Sequence, residues 1–253
     1  MNQSDKDIDQ LKNEFSELKM IREINRGCAA GRNTGARNSK GEYLLFLDPD
    51  TEMIIDPFQN LITELEKSIF GAAGLKLYYE DNTFQLTFGK FPDIEGEASN
   101  LSDQNKFLDI NMDFILEKEY EFGDVRFVNY VSGSAFFMKK EVFELMQGFN
   151  EKFFLFYEDA DMCLRLKEKG YPVFFYPFSK IIHHRDRNRI VTEEFYFHQK
   201  RSRLIYMNIH GEGLQVFFLR AYMFIKYFFL SIVGFRKIYF TLFKISLMPV
   251  SKI

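Results

Sequence analysis

Apolar runs and polar breaks divide this chain into short, alternating elements. Tyr43 to Leu47 is unbroken apolar, bounded by Gly41 and Pro49, which predicts a short strand buried on both faces. Gly71 to Tyr79 and Tyr171 to Phe178 predict two more strands, and Met20 to Ile24 a shorter one. Val128 to Met138 alternates small and apolar residues around Ser132-Gly133-Ser134. Helical spacing of Ile8, Leu11, Phe15 and Leu18 predicts a helix over 5–20, capped by Ser4 or Asp5. Pro57 to Ile69 and Lys139 to Met146 predict two further helices. Another starts at Glu158, aligns Ala160, Cys163 and Leu164 on one face, and stops at Gly170. Asp161 and Arg165, four apart on it, are expected to pair on its surface. Residues 80–126 show no clear period. Buried strands covered by helices place the chain in the α/β class.

Polar residues at the strand and helix ends carry the candidate chemistry. Asp48 and Asp50 flank Pro49, which ends the strand and leaves both acids at its C-terminal edge. Ligands of open α/β sheets bind at that edge, and two acids there suit a hard divalent cation with a phosphate-bearing ligand. An ordinary turn, with Asp50 or Thr51 capping a helix, is the competing reading. No EF-hand glycine and closing glutamate follow. Gly27, Gly31 and Gly35 let backbone approach closely, and Arg32 and Asn33 add a cation and an amide. That segment fits a diphosphate-facing turn or close helix packing. Glu158 and Asp159 stand at a helix N-terminus, where acids also serve as simple caps. His183 and His184 point different ways, so at most one is a ligand. Arg185, Arg187 and Arg189 follow as a solvated face or a diphosphate clamp.

Composition narrows the partners. The 253 residues suffice for one sizeable core, and a net charge of -3 gives no reason to expect nucleic acid. Cys28 and Cys163 match no zinc or redox spacing, so free thiols are expected. The polar N-terminus does not read as a signal peptide, which suggests a cytoplasmic protein. From Leu214 onward, apolar and aromatic residues dominate and the charges are all positive: Arg220, Lys226, Arg236, Lys237, Lys244 and Lys252. Arg220 and Lys226 interrupt a spanning helix. Peripheral contact with the inner membrane surface is expected, with a helical hairpin packed on protein as the alternative.

Four stretches together resemble the family 2 inverting glycosyltransferases of the GT-A fold, particularly rhamnosyltransferase-like members. They are Asn25 to Asn33 (N-x-G-x-x-x-G-R-N), Gly41 to Thr51, Ser132-Gly133, and Gly148 to Gly170. His183 falls where that family places a metal-binding histidine. The resemblance implies a Rossmann-like mixed sheet over residues 1–210 with flanking helices; the change in composition sets off a C-terminal helical tail over 211–253. It implies that Arg32, Asn33, Asp48 and Asp50 bind the nucleotide-sugar. Asp50 and His183 would hold Mg²⁺ or Mn²⁺. Asp159 would be the general base, and Glu158 would orient the acceptor or the base. The implied donor is dTDP-rhamnose or a UDP-sugar, and the acceptor a glycan or lipid-linked glycan of a bacterial surface polysaccharide.

The chain departs from that pattern in three places. Met1-Asn2-Gln3-Ser4 aligns with the turn after the family's second strand, so the first βαβ unit, about 30–40 residues, is expected to be missing. Its loss would expose apolar strand edges. A truncated, inactive remnant or a partner subunit is therefore the alternative to an active enzyme. Asn150 stands where the family often has Asp, and the stretch after His184 lacks the usual glycine and serine.

Overall fold

The computed structural model describes residues 15, 17, 19–92, 112–184, 192–233 and 237–249. Arg185, Arg187, Arg189 and nearly all of the helix expected over 5–20, with its cap, lie outside them. In chain order the strands are β1 (Tyr43–Leu47), β2 (Thr51–Ile55), β3 (Ala72–Tyr78), β4 (Phe84–Gln85), β5 (Phe88–Gly89), β6 (Arg126–Val128), β7 (Tyr130–Val131), β8 (Ala135–Lys139) and β9 (Val173–His183). The helices are α1 (Cys28–Asn38), α2 (Phe58–Leu65), α3 (Met112–Glu121), α4 (Lys140–Leu145), α5 (Glu158–Glu168), α6 (Glu193–His210), α7 (Gly213–Val233) and α8 (Lys237–Leu247).

A mixed sheet organises the chain in the order β1-β8-β3-β9-β2, with β4 added to β3 and β6 to β9. Only β3 and β9 run parallel; the other pairs are antiparallel. Successive strand residues point to opposite faces, and both faces are covered. Leu44, Phe46, Phe136 and Met138 pack on one side with Ala29, Phe143, Phe149 and Leu166 from α1, α4, α5 and the loop before α5. Leu45, Ala135, Phe137, Leu75 and Leu77 pack on the other with Leu61 and Leu65 of α2. The doubly apolar run at Tyr43–Leu47 is thus explained. β1 ends the sheet, and among the described residues no strand pairs with its outer edge.

Several expectations need correcting. Met20 to Ile24 forms no strand with any of the described residues, and Ile21 and Ile24 are exposed. Thr51 opens a strand rather than capping a helix, because β2 pairs with β9. The unpatterned segment 80–126 holds β4, β5 and α3, elements too short or too local to show a period. β9 continues past Phe178 to His183. α5 ends as expected: Gly170 has φ +78°, its N–H donates to Lys167 O at 3.0 Å, and Tyr171 N–H donates to Leu166 O at 2.9 Å. That is a Schellman closure. Asp161, however, is fully buried rather than on the helix surface.

α6, α7 and α8 form a helical layer against α5. Leu219, Met223 and Tyr227, spaced by four, give α7 its buried stripe, joined by Leu204 and Tyr206 of α6 and Leu242 of α8. Arg220 is turned inward, donating to the carbonyls of Ser246 at 3.0 Å and Met248 at 2.8 Å. It satisfies the C-terminal carbonyls of α8. The other faces of α7 expose Phe217, Phe218, Ile225, Phe228, Phe229 and Ile232. By length and composition α7 could cross a membrane.

Candidate active site

β1 delivers Asp48 to the sheet edge, where its N–H donates to Ser134 O at 3.1 Å. Thr51 then donates from Oγ1 to Asp48 O at 2.7 Å and pairs with His183 across β2 and β9. This register carries Asp50 to the histidine: Asp50 Oδ1 is 3.3 Å from His183 Nε2. One ligand atom each from Asp48, Asp50 and His183 falls within 4.8 Å of the others. Two carboxylate oxygens and one imidazole nitrogen suit Mg²⁺ or, better, Mn²⁺. His183 is buried, and its Nδ1 lies 3.1 Å from Gln85 Oε1. His184 faces elsewhere, between Glu52 at 3.2 Å and Glu80 at 2.9 Å, and those hydrogen bonds raise its pKa.

A second group forms around Gly133. Its N–H donates to Asp159 Oδ2 at 2.9 Å, and its carbonyl accepts from Arg32 Nη2 at 3.0 Å. Arg32 also donates to Asp48 Oδ1 at 3.1 Å and Glu158 Oε1 at 2.6 Å. A Cβ on Gly133 would lie 2.6 Å from the guanidinium, which explains a glycine between Ser132 and Ser134. Ala160 N–H holds the other Asp159 oxygen at 2.8 Å. Phe156 and Tyr157, just before these acids, take left-handed φ of 70° and 67°. Such backbone costs of order 1–3 kcal/mol per residue and clusters at functional sites.

Burial dominates the electrostatics. It pushes the Glu158 carboxyl up to about 7, aided by Asp159 and opposed by Arg32. Asp159 is also raised by burial, against hydrogen bonds from Gly133 and Ala160 and the charge of Arg32. Burial and then Glu158 raise the Cys28 thiol; Cys28 and Cys163 are both free.

Asp48, Glu158 and Asp159 line one cavity of about 350 Å³, together with Gln85, Lys200 and Arg203. The structure thus brings Arg32, Asp48, Glu158 and Asp159 together. Asp50 and His183 adjoin them through Asp48 and Gln85 but do not line the cavity. Asn33 stands apart: its amide bonds Phe149 O at 2.9 Å, Phe149 N at 2.8 Å and Glu151 at 3.0 Å. It fastens the loop before α5 instead of facing a diphosphate, because it projects from a different face of α1. Glu158 is no simple exposed cap but a buried partner of Arg32. The sequence reading missed Gln85, Lys200 and Arg203. Gln85 lies in the unpatterned segment, and the two cations look like ordinary helix-surface charges.

Residues 2–145 match Glycosyl transferase family 2. The chain belongs to that family. Residues 101–251 also match Glycosyl transferase family group 2. Among curated relatives of this family 2 chain, Rhamnosyltransferase WbbL of Escherichia coli (strain K12) is 27% identical over 66% of the chain and 62% of WbbL. O-antigen biosynthesis protein RfbC of Myxococcus xanthus is 28% identical over 62% of the chain and 12% of RfbC. The chain therefore spans less than two thirds of these relatives. The crystal structure of GalNAc-T7 with UDP, GalNAc and Mn²⁺ covers 82% of the chain and 42% of that protein, at TM-score 0.51 and 12% identity. That likeness supports the GT-A fold alone.

Proposed function

We propose that this chain carries the catalytic centre of a metal-dependent, inverting glycosyltransferase. Its donor is a nucleotide-sugar, dTDP-rhamnose or a UDP-sugar, and its acceptor a glycan or lipid-linked glycan of a bacterial surface polysaccharide. One observation carries the reading: Asp159 and Asp48 share a cavity, and Asp48 adjoins the Asp50–His183 pair. The names of WbbL and RfbC support rhamnose and surface polysaccharide.

Asp50 and His183 would hold Mg²⁺ or Mn²⁺, and Asp48 would face the nucleotide. Held there, such a cation would supply positive charge to a departing diphosphate. Asp159 accepts the proton of the acceptor hydroxyl, whose oxygen bonds the anomeric carbon as the bond to diphosphate breaks. Such base assistance is typically worth ~10²–10⁴-fold. Single displacement inverts that carbon and needs no enzyme nucleophile. Arg32 holds Glu158 beside the base. The division into a catalytic region over 1–210 and a tail over 211–253 belongs to this reading. The tail places the protein on the inner face of the cytoplasmic membrane, through the exposed aromatics of α7 and the positive charges around them.

The test is release of nucleoside diphosphate and transfer of sugar with Mn²⁺, comparing wild type with Asp159→Asn. Transfer that the variant loses supports the reading. A wild-type chain that neither turns over nor binds nucleotide overturns it in favour of the non-catalytic partner.

A further inference from the structure

We infer that Gln85 is a positioning residue that orients His183 for a divalent cation. The inference rests on the metal-dependent reading above. Gln85 Oε1 lies 3.1 Å from His183 Nδ1, and a carbonyl oxygen can only accept. The ring therefore carries its proton on Nδ1. Nε2, 3.3 Å from Asp50 Oδ1, is then the ring nitrogen that a cation held by Asp50 would meet. The second-shell acceptor fixes both the tautomer and the ring plane.

The fold holds Gln85 rigidly enough for this task. It is buried, and β4 registers it against Leu77 of β3. The preceding turn is closed by Tyr79 N–H donating to Thr83 O at 2.9 Å and Thr83 N–H donating to Asp81 Oδ1 at 2.9 Å. Phe84, next in chain, is fully buried. Gln85 also lines the cavity that holds Asp48 and Asp159. With Asp48, it joins the cation cluster to the reacting space. A glutamine serving only to fill buried space would not need to aim its oxygen at the one histidine that faces Asp50.

The experiment measures Mn²⁺ affinity of the purified chain by calorimetry or electron paramagnetic resonance, alongside ¹⁵N NMR of the metal-free His183 ring. Gln85→Leu removes the acceptor, and Gln85→Glu keeps one. We expect wild type to show the Nδ1–H tautomer. Gln85→Leu should bind Mn²⁺ about 10–100-fold more weakly, and Gln85→Glu at least as well as wild type. Wild-type affinity in Gln85→Leu, or an Nε2–H tautomer in wild type, overturns the inference. If wild type binds no Mn²⁺, the metal reading fails, while the tautomer still decides the role of Gln85. The wild-type spectrum and Gln85→Glu serve even if Gln85→Leu does not fold.

Discussion

Arg32 and Glu158, 126 positions apart in sequence, meet at 2.6 Å in the cavity lining. The same guanidinium reaches Asp48 and the Gly133 carbonyl, so one side chain ties α1 to β1, α5 and the Ser-Gly-Ser turn. Removing it strands a buried acid. Arg32→Met should cost up to about 3–5 kcal/mol above pH 7, where an ionised Glu158 loses its partner, and less below it, where the acid keeps its proton. Glu158→Gln should cost clearly less, since an amide oxygen still accepts. Urea unfolding of both variants checks the order.

The raised Glu158 carboxyl has a pH signature. The folded acid keeps its proton up to about pH 7, whereas its ordinary value is 4.5. Between those values the native state binds more protons than the unfolded one, so stability falls as pH rises. The contribution is complete below about 4.5 and lost above about 7. Glu158→Gln should flatten that part of the stability–pH curve, measured by unfolding midpoints across the window.

Gly133 works because it has no side chain. A methyl there would meet the Arg32 guanidinium at 2.6–2.7 Å. That group is pinned by three partners and has little room to yield. Gly133→Ala should displace it, loosen the N–H grip on Asp159, and lower kcat more than it raises KM for the nucleotide-sugar. Steady-state kinetics against donor and acceptor check this.

Asp161 accepts from Arg165 Nε at 2.8 Å and stands 2.8 Å from His210 Nε2. It joins α5, which carries Glu158 and Asp159, to the end of α6. Asp161→Ala should destabilise by about 3–5 kcal/mol by leaving Arg165 part-buried without its acid. A Ser substitution at the exposed Glu168 should change stability by less than about 0.5 kcal/mol. Thermal melts of the two variants give the comparison.

The exposed face of α7 predicts salt-sensitive binding to anionic vesicles. Deleting the tail is a poor test, because Leu219, Met223, Tyr227 and Leu242 complete a buried cluster. Phe217→Ser with Phe228→Ser leaves that stripe intact and should weaken binding at every ionic strength. Lys237→Glu with Lys244→Glu should reduce its salt dependence. Flotation of the variants with anionic vesicles measures both effects, and undiminished binding would point to a protein partner for this face.

The sequence by itself determined the strand at Tyr43–Leu47, the helix from Glu158 to its glycine stop, and the acids at their ends. These are local properties, written in apolar period, proline and glycine placement, and capping. The resemblance added the family, the expected fold and the histidine at 183. Tertiary structure decided which of these groups meet. The β2–β9 register set His183 against Asp50, and the turn at Gly133 set Arg32 between Glu158 and Asp48. It also sent Asn33 to a loop, buried Asp161, and drew Gln85 from a patternless stretch to the histidine. Periodicity reports which face of an element is buried. Contacts between residues a hundred positions apart depend on strand order and register, which no local pattern encodes.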